Sequence, residues 1–164
     1  MSSYNQIIPG LWVGNDYASR DYIFLQQQRI GAVLNCTPDI NNELAKPQVG
    51  SLEYMRINVN DNGQDTAKMI NYLPHAVSFI YKNLVLDQKN VFVHCHAGIQ
   101  RSCIIIAAYL CKTENLSPEV AIKRVLERRP VAFGNGSRIN FKQALEEYYN
   151  NTCLFVVNPE WTFE

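Results

Sequence analysis

The sequence predicts an α/β domain with a mainly parallel central sheet of about five strands flanked by helices. Short apolar, β-branched runs alternate along the chain with longer helical segments, the order that builds a parallel sheet covered on both faces. At 164 residues, 47% of them hydrophobic, the chain suffices for one core and is short for two domains of usual size. No internal repeat, low-complexity tract or linker divides it.

Strands are expected at about 5–8, 11–14, 31–36, 54–59 and 91–95, and helices at about 18–28, 65–87, 101–114, 117–128 and 137–150. Pro74 falls inside the long second helical window and predicts a kink or a break into two shorter helices. Val91-Phe92-Val93 reads as a buried parallel strand, and Ser102 to Leu110 as a helix that follows it closely. Ser117-Pro118-Glu119 reads as a helix start, with the hydroxyl as cap and proline in the first turn, where its missing N–H costs nothing. Gly134-Asn135-Gly136-Ser137 reads as a loop followed by another cap.

Charge and cysteine usage exclude several classes. Lys plus Arg and Asp plus Glu number 15 each, and no block of basic residues appears, so neither nucleic acid nor an acidic membrane is expected as a partner. No apolar run reaches the length of a membrane span, the amino end has no signal-peptide pattern, and position 2 is Ser rather than the Gly that myristoylation needs. Five cysteines at irregular spacings of no zinc type predict free thiols in a reducing compartment. A soluble intracellular protein, cytoplasmic or nuclear, is expected.

The stretch His94-Cys95-His96-Ala97-Gly98-Ile99-Gln100-Arg101-Ser102 carries the chemistry. It joins the carboxyl end of a strand to the amino end of a helix. Residues His96, Ala97, Gly98, Ile99 and Gln100 can curl so that successive backbone N–H groups point inward, and the helix end adds partial positive charge. Such a nest suits a phosphate dianion. Gly98 frees the tightest point of the curl from the limits a Cβ imposes, and Arg101 can close the ring with a two-pronged contact to two phosphate oxygens. The same groups favour a negative sulfur, which makes Cys95 the expected nucleophile.

His-Cys-x-x-Gly-x-x-Arg followed by Ser resembles the signature of the cysteine-dependent protein tyrosine phosphatases. Ile7 to Asn15, Leu25, Ile30 to Thr37, Ile57 to Asp61, His75 to Ile80 and Arg129-Pro130 through Leu145 extend the likeness over roughly residues 4 to 150, to the small dual-specificity branch. The resemblance implies that residues 1–152 form one catalytic domain and that the substrate is a phosphorylated protein. It implies no metal and no cofactor.

Asp61, in Val59-Asn60-Asp61-Asn62-Gly63, matches the family's general acid, with Asp65 as the nearby competitor. Cys95 would attack phosphorus while Asp61 protonates the departing oxygen, and water, with Asp61 as base, would then release the phosphocysteine. Ser102 would donate to the leaving thiolate, and His94 would support the loop backbone from behind. In some relatives a cysteine matching Cys36 forms a disulfide with the nucleophile; Cys103 is the rival redox partner, and both also read as small core residues.

Two loop residues depart from family usage. His96 and Gln100 are larger than the residues often found there, and His96 is expected as a neutral imidazole at the solvent edge. The loop lacks the lysines of phosphoinositide-hydrolysing relatives. Three readings follow: a dual-specificity protein phosphatase acting on phosphotyrosine and phosphoserine or phosphothreonine; a phosphatase of RNA, a small molecule or a lipid; and a non-catalytic phosphoprotein-binding module. The tail 153–164 carries six large apolar side chains, too many for a solvated end, and is expected either to fold back on its own domain or to pack on a second subunit in a homodimer.

Overall fold

Strands β1 (Tyr4–Ile8), β2 (Leu11–Gly14), β3 (Ile30–Asn35), β4 (Glu53–Arg56) and β5 (Asn90–His94) form one sheet in the order β1-β2-β5-β3-β4. Only β1 runs antiparallel to its neighbour; the other pairings are parallel. The computed structural model describes residues 2–41 and 51–153. The tail expectation for residues beyond Cys153 lies outside the described residues.

Alternation along the strands assigns the two faces. Val91 and Val93 of β5, Ala32 and Leu34 of β3, and Leu11 and Val13 of β2 join one buried cluster with the helices α3 (Thr66–Tyr81), α4 (Arg101–Glu114), α5 (Pro118–Arg128) and α7 (Lys142–Tyr148). Phe92, Val33 and Ile30 point the other way and pack with Phe24 and Leu25 of α2 (Tyr22–Gln27). Tyr4 stacks on Phe24 at a ring separation of 3.9 Å, which fastens the amino-terminal strand to this second face. The expected mainly parallel, doubly covered sheet is the sheet observed.

The helix boundaries differ from expectation in three places. The window 18–28 holds two short helices, α1 (Asp16–Ser19) and α2, because two side chains cap separate starts: Asn15 accepts from the Ala18 N–H and Asp21 from the Phe24 N–H. Pro74 does not break α3, which runs through it and continues as a π turn over Lys82–Leu86. Pro74 lies on the exposed face, where water can take up the carbonyl that its missing N–H releases. Ser137 caps no helix. Its hydroxyl donates to the Gly134 carbonyl at 2.6 Å, and the last helix starts later, at Lys142. Between α5 and α7, α6 (Ala132–Asn135) is a single turn with Phe133 and Gly134 at positive φ.

The fourth strand also ends earlier than the expected 59. After Arg56 the chain leaves the sheet through Ile57, whose N–H donates to the Asn35 carbonyl at 2.9 Å, and enters the segment that carries Asp61.

Candidate active site

Parallel pairing brings the carboxyl ends of three strands together, with His94 in register with both Gly14 of β2 and Asn35 of β3. The loop from Cys95 to Gln100 rises from that point, in the sheet centre, and α4 begins at Arg101. A crevice at the carboxyl ends of parallel strands is the usual ligand position in open α/β sheets.

The loop carbonyls all have donors outside the curl. His96 O accepts from Asp16 N at 3.0 Å, Ala97 O from Arg129 Nη2 at 3.4 Å and Gly98 O from Arg129 Nε at 2.6 Å. Ile99 O accepts from Phe133 N and Gln100 O from Ile104 N, each at 2.9 Å. In a trans peptide the following N–H points opposite to the carbonyl, so the N–H groups of residues 97–101 are turned toward the inside of the loop. This is the nest that a phosphate needs. Gly98 has φ +67°, and a Cβ there would stand 2.5 Å from the backbone of Gly14 and 2.9 Å from Arg129. No side chain fits that position.

Cys95 is 2% exposed, and its sulfur lies 3.2 Å from the Ser102 hydroxyl. Arg101 is also buried; Nη1 donates to the Val59 carbonyl at 2.8 Å, while Nε has no partner among the described residues. Asp61 is exposed on the segment that Arg101 holds, and its Oδ1 accepts from Asn140 Nδ2 at 2.7 Å. Asp65 is engaged differently: its Oδ2 accepts from the backbone N–H of Asn60 at 2.7 Å, closing the turn that presents Asp61.

Behind the loop, His94 is fully buried, stacked on Phe92 and 3.3 Å from the Cys95 carbonyl through Nδ1. Burial pushes its pKa down to about 4, so the ring is neutral near pH 7. Cys36 extends β3 one residue past the Asn35–His94 pair, its N–H donates to the His94 carbonyl at 2.8 Å, and it shares a buried cluster with Cys95. Burial pushes its thiol well up, and the neighbouring Cys95 adds to this. Cys103 points its sulfur at the Gly98 carbonyl, 3.4 Å away, and burial raises it to about 12.

His96 lies at the solvent edge, as expected, and two carboxylates flank it. Its Nε2 lies 3.0 Å from Asp39 Oδ1, and Nδ1 lies 3.9 Å from Asp16 Oδ2. The hydrogen bond to His96 lowers the pKa of Asp39.

Sequence reasoning missed four residues here: Arg129, Asn140, Asp39 and Asp16. Arg129 is fully buried and adds bonds to Asn5 Oδ1 at 2.7 Å and Ser2 O at 3.2 Å, tying the amino end to the loop of residues 95–100. Burial lowers its pKa, and the nearby Cys103 and Cys95 sulfurs oppose that effect. Two consecutive arginines before Pro130 offered one signal, a cation at a helix end, without saying that Arg129 turns inward while Arg128 stays exposed.

A buried thiol at the carboxyl ends of parallel strands, in a loop whose N–H groups turn inward and whose following helix opens on an arginine, is the arrangement of the cysteine-dependent phosphatase class. The family model described as "Dual specificity phosphatase, catalytic domain" matches residues 11–151, and the chain belongs to that family. It is 37% identical over 127 residues to the Drosophila melanogaster dual specificity protein phosphatase Mpk3, covering 76% of this chain and 29% of that one. Against mouse dual specificity protein phosphatase 8 it is 35% identical over 150 residues, 91% of this chain and 21% of the relative. The chain thus spans under a third of each of these two relatives.

Solved structures agree in fold. Human DUSP28 superposes with a TM-score of 0.79 at 21% identity, covering 92% of this chain and 95% of that one. A human tyrosine phosphatase-like serine/threonine/tyrosine-interacting protein gives 0.74 at 26% identity, covering 90% and 96%.

Proposed function

We propose that this domain hydrolyses phosphotyrosine and phosphoserine or phosphothreonine in proteins through a phosphocysteine intermediate. The carrying observation is that five successive loop carbonyls are bonded outward around a buried thiol. Inward N–H groups and the Arg101 Nε, which has no partner among the described residues, would supply positive potential to the three non-bridging phosphate oxygens.

Cys95 attacks phosphorus as the bond to the ester oxygen breaks, and Asp61 gives that oxygen its proton. Water then attacks the phosphocysteine, Asp61 takes the proton back, and sulfur leaves with a hydrogen bond from the Ser102 hydroxyl. Residues His96, Ala97, Gly98, Ile99, Gln100 and Arg101 hold the phosphate mainly through backbone N–H groups, and His94 fills the space behind. Asp65, with one oxygen engaged by the Asn60 N–H, acts as a brace for the acid's segment.

Residues 1–152 act on this reading as one catalytic domain of a soluble intracellular protein. Five free cysteines suit a reducing compartment. Deleting residues 153–164 tests the reading of the tail: a lower melting temperature of a monomer supports packing on its own domain, conversion of a dimer to a monomer supports packing on a second copy, and no change in either refutes both.

Turnover of an aryl phosphate, followed by a panel of phosphotyrosine, phosphothreonine and phosphoserine peptides, inositol phosphates and 5′-triphosphorylated RNA, tests the function. Peptide turnover on both residue classes is expected. Preference for RNA or inositol phosphates assigns the alternative substrate class; tight phosphopeptide binding without any turnover assigns a binding module.

A further inference from the structure

Gln100, the larger residue in the phosphate loop, uses both ends of its amide on a distant turn. Its Nε2 donates to the Arg138 carbonyl at 2.7 Å, and its Oε1 accepts from the Asn140 N–H at 3.1 Å. The residue is 7% exposed, so these bonds are partly shielded from water. They fix the backbone on both sides of Ile139.

That fixed turn presents Asn140 with one amide orientation. Its Oδ1 accepts from Arg138 Nε at 3.0 Å and its Nδ2 donates to Asp61 Oδ1 at 2.7 Å. A flipped amide would set oxygen against the carboxylate and NH2 against the guanidinium, so the charges on either side select the orientation observed. The next loop residue, Arg101, holds the Val59 carbonyl two residues before Asp61. Consecutive residues of the phosphate loop therefore anchor the acid's segment, one directly and one through Asn140.

We propose that Asn140 is a positioning residue for the general acid and that Gln100 sets it, so that Asp61 is held ready before substrate arrives. This rests on the reading of Asp61 given under Proposed function. With Oδ1 engaged by Asn140, the transferable proton sits on Oδ2. As sulfur bonds to phosphorus and the P–O bond breaks, that proton passes to the leaving oxygen and the carboxylate becomes negative. A hydrogen bond to an ionised acceptor is stronger than one to a neutral acceptor, so the Asn140 bond tightens as the transfer proceeds. Asn140 thereby favours the transition state over the bound substrate.

The test compares an unactivated substrate, phenyl phosphate, with an activated one, 4-nitrophenyl phosphate, whose leaving group needs little proton assistance. Asn140→Leu is expected to lower kcat for phenyl phosphate by about 10- to 100-fold, part of the 10²–10⁴-fold a positioned acid supplies, and to change the activated substrate by less than about threefold. Gln100→Leu, which keeps its backbone N–H in the loop, should lower the ratio of phenyl phosphate to 4-nitrophenyl phosphate turnover in the same direction and by less, whatever it does to both rates together. In that ratio the double variant should be no worse than Asn140→Leu alone, because both act through one contact. Asn140→Ala removes the donor without adding a charge beside Asp61, and should reproduce the pattern if the leucine variant folds poorly.

Equal losses on both substrates, in variants whose melting temperature is preserved, would overturn the proposal. Asp61→Asn provides the separating control. If it discriminates between the substrates and neither Asn140 variant does, the clamp fails and the acid assignment stands; if Asp61→Asn itself slows both equally, the assignment fails and takes the clamp with it.

Discussion

The back of the phosphate loop and its rim are built by different means. At the back, Cys95, His94, Cys36, Cys103, Ser102 and Arg129 are all buried, held by strand register, helix geometry and bonds to backbone carbonyls. At the rim, His96, Asp39, Asp61 and Asn140 are held through side-chain pairs between segments far apart in sequence. Removing a back residue leaves buried groups unsatisfied, whereas removing a rim residue exposes its partner to water, which can replace the bond. The back should therefore tolerate little, and the rim should tune the reaction.

The largest expected effect is at the back. Cys95→Ser should abolish turnover while retaining phosphate binding, because an alcohol in the same nest is not ionised at neutral pH. Arg101→Lys should lose about 10²–10³ in kcat, the scale of one missing transition-state donor, since an ammonium cannot keep the Val59 contact and fork a phosphate together. Steady-state kinetics and isothermal titration with inorganic phosphate check both. Near-normal kinetics of Arg101→Lys would show that the back is less exacting than its burial implies.

Asp61→Asn should come next and should depend on the substrate. About 10²–10⁴ should be lost with basic leaving groups and little with activated aryl phosphates, while Asp65→Asn slows both alike. The reverse pattern would exchange their roles.

Oxidation should separate two thiols that both lie behind the loop. Peroxide converts a thiolate to sulfenic acid, and a neighbouring thiol then expels water to form a disulfide. Cys36, one residue past the Asn35–His94 pair, is the partner that the family resemblance implies, and Cys103, whose sulfur is directed at the Gly98 carbonyl, is the rival. Peptide mapping should recover a Cys95–Cys36 link. Recovery of Cys95 only as overoxidised acid would make both thiols core residues and nothing more.

The smallest expected effect is on stability against pH. His94 is neutral in the folded protein down to about 4, against an ordinary value of 6.5. Between those values the unfolded chain binds a proton that the folded chain does not, so stability falls as pH drops from about 6.5 to about 4. Asp39 and Glu53, both lowered by their partners, act further down, below 3.8 and 4.5. Melting temperatures of wild type and His94→Gln across pH 4 to 7 should converge at the acidic end; parallel curves would mean that His94 is not the group responsible.

The back of the site was legible in the sequence because its parts are local. One strand, one loop and one helix start lie within residues 90–114, and the spacing of Cys95, Gly98, Arg101 and Ser102 states the geometry almost alone. Val91-Phe92-Val93 was likewise legible as a buried parallel strand, and it is buried on both faces of the sheet. Pro74 and Ser137 misled because propensity rules are indifferent to exposure and to competing local bonds: Pro74 stands on a wet face, and Ser137 bonds backward to Gly134. The tertiary structure alone decided that Arg129 turns under the loop, that Asp39 and Asp16 flank His96, and that Asn140 reaches Asp61. Each of those contacts spans 31 to 80 residues. A side chain's own neighbours in sequence do not encode such a contact; only the packing that brings two distant segments together does.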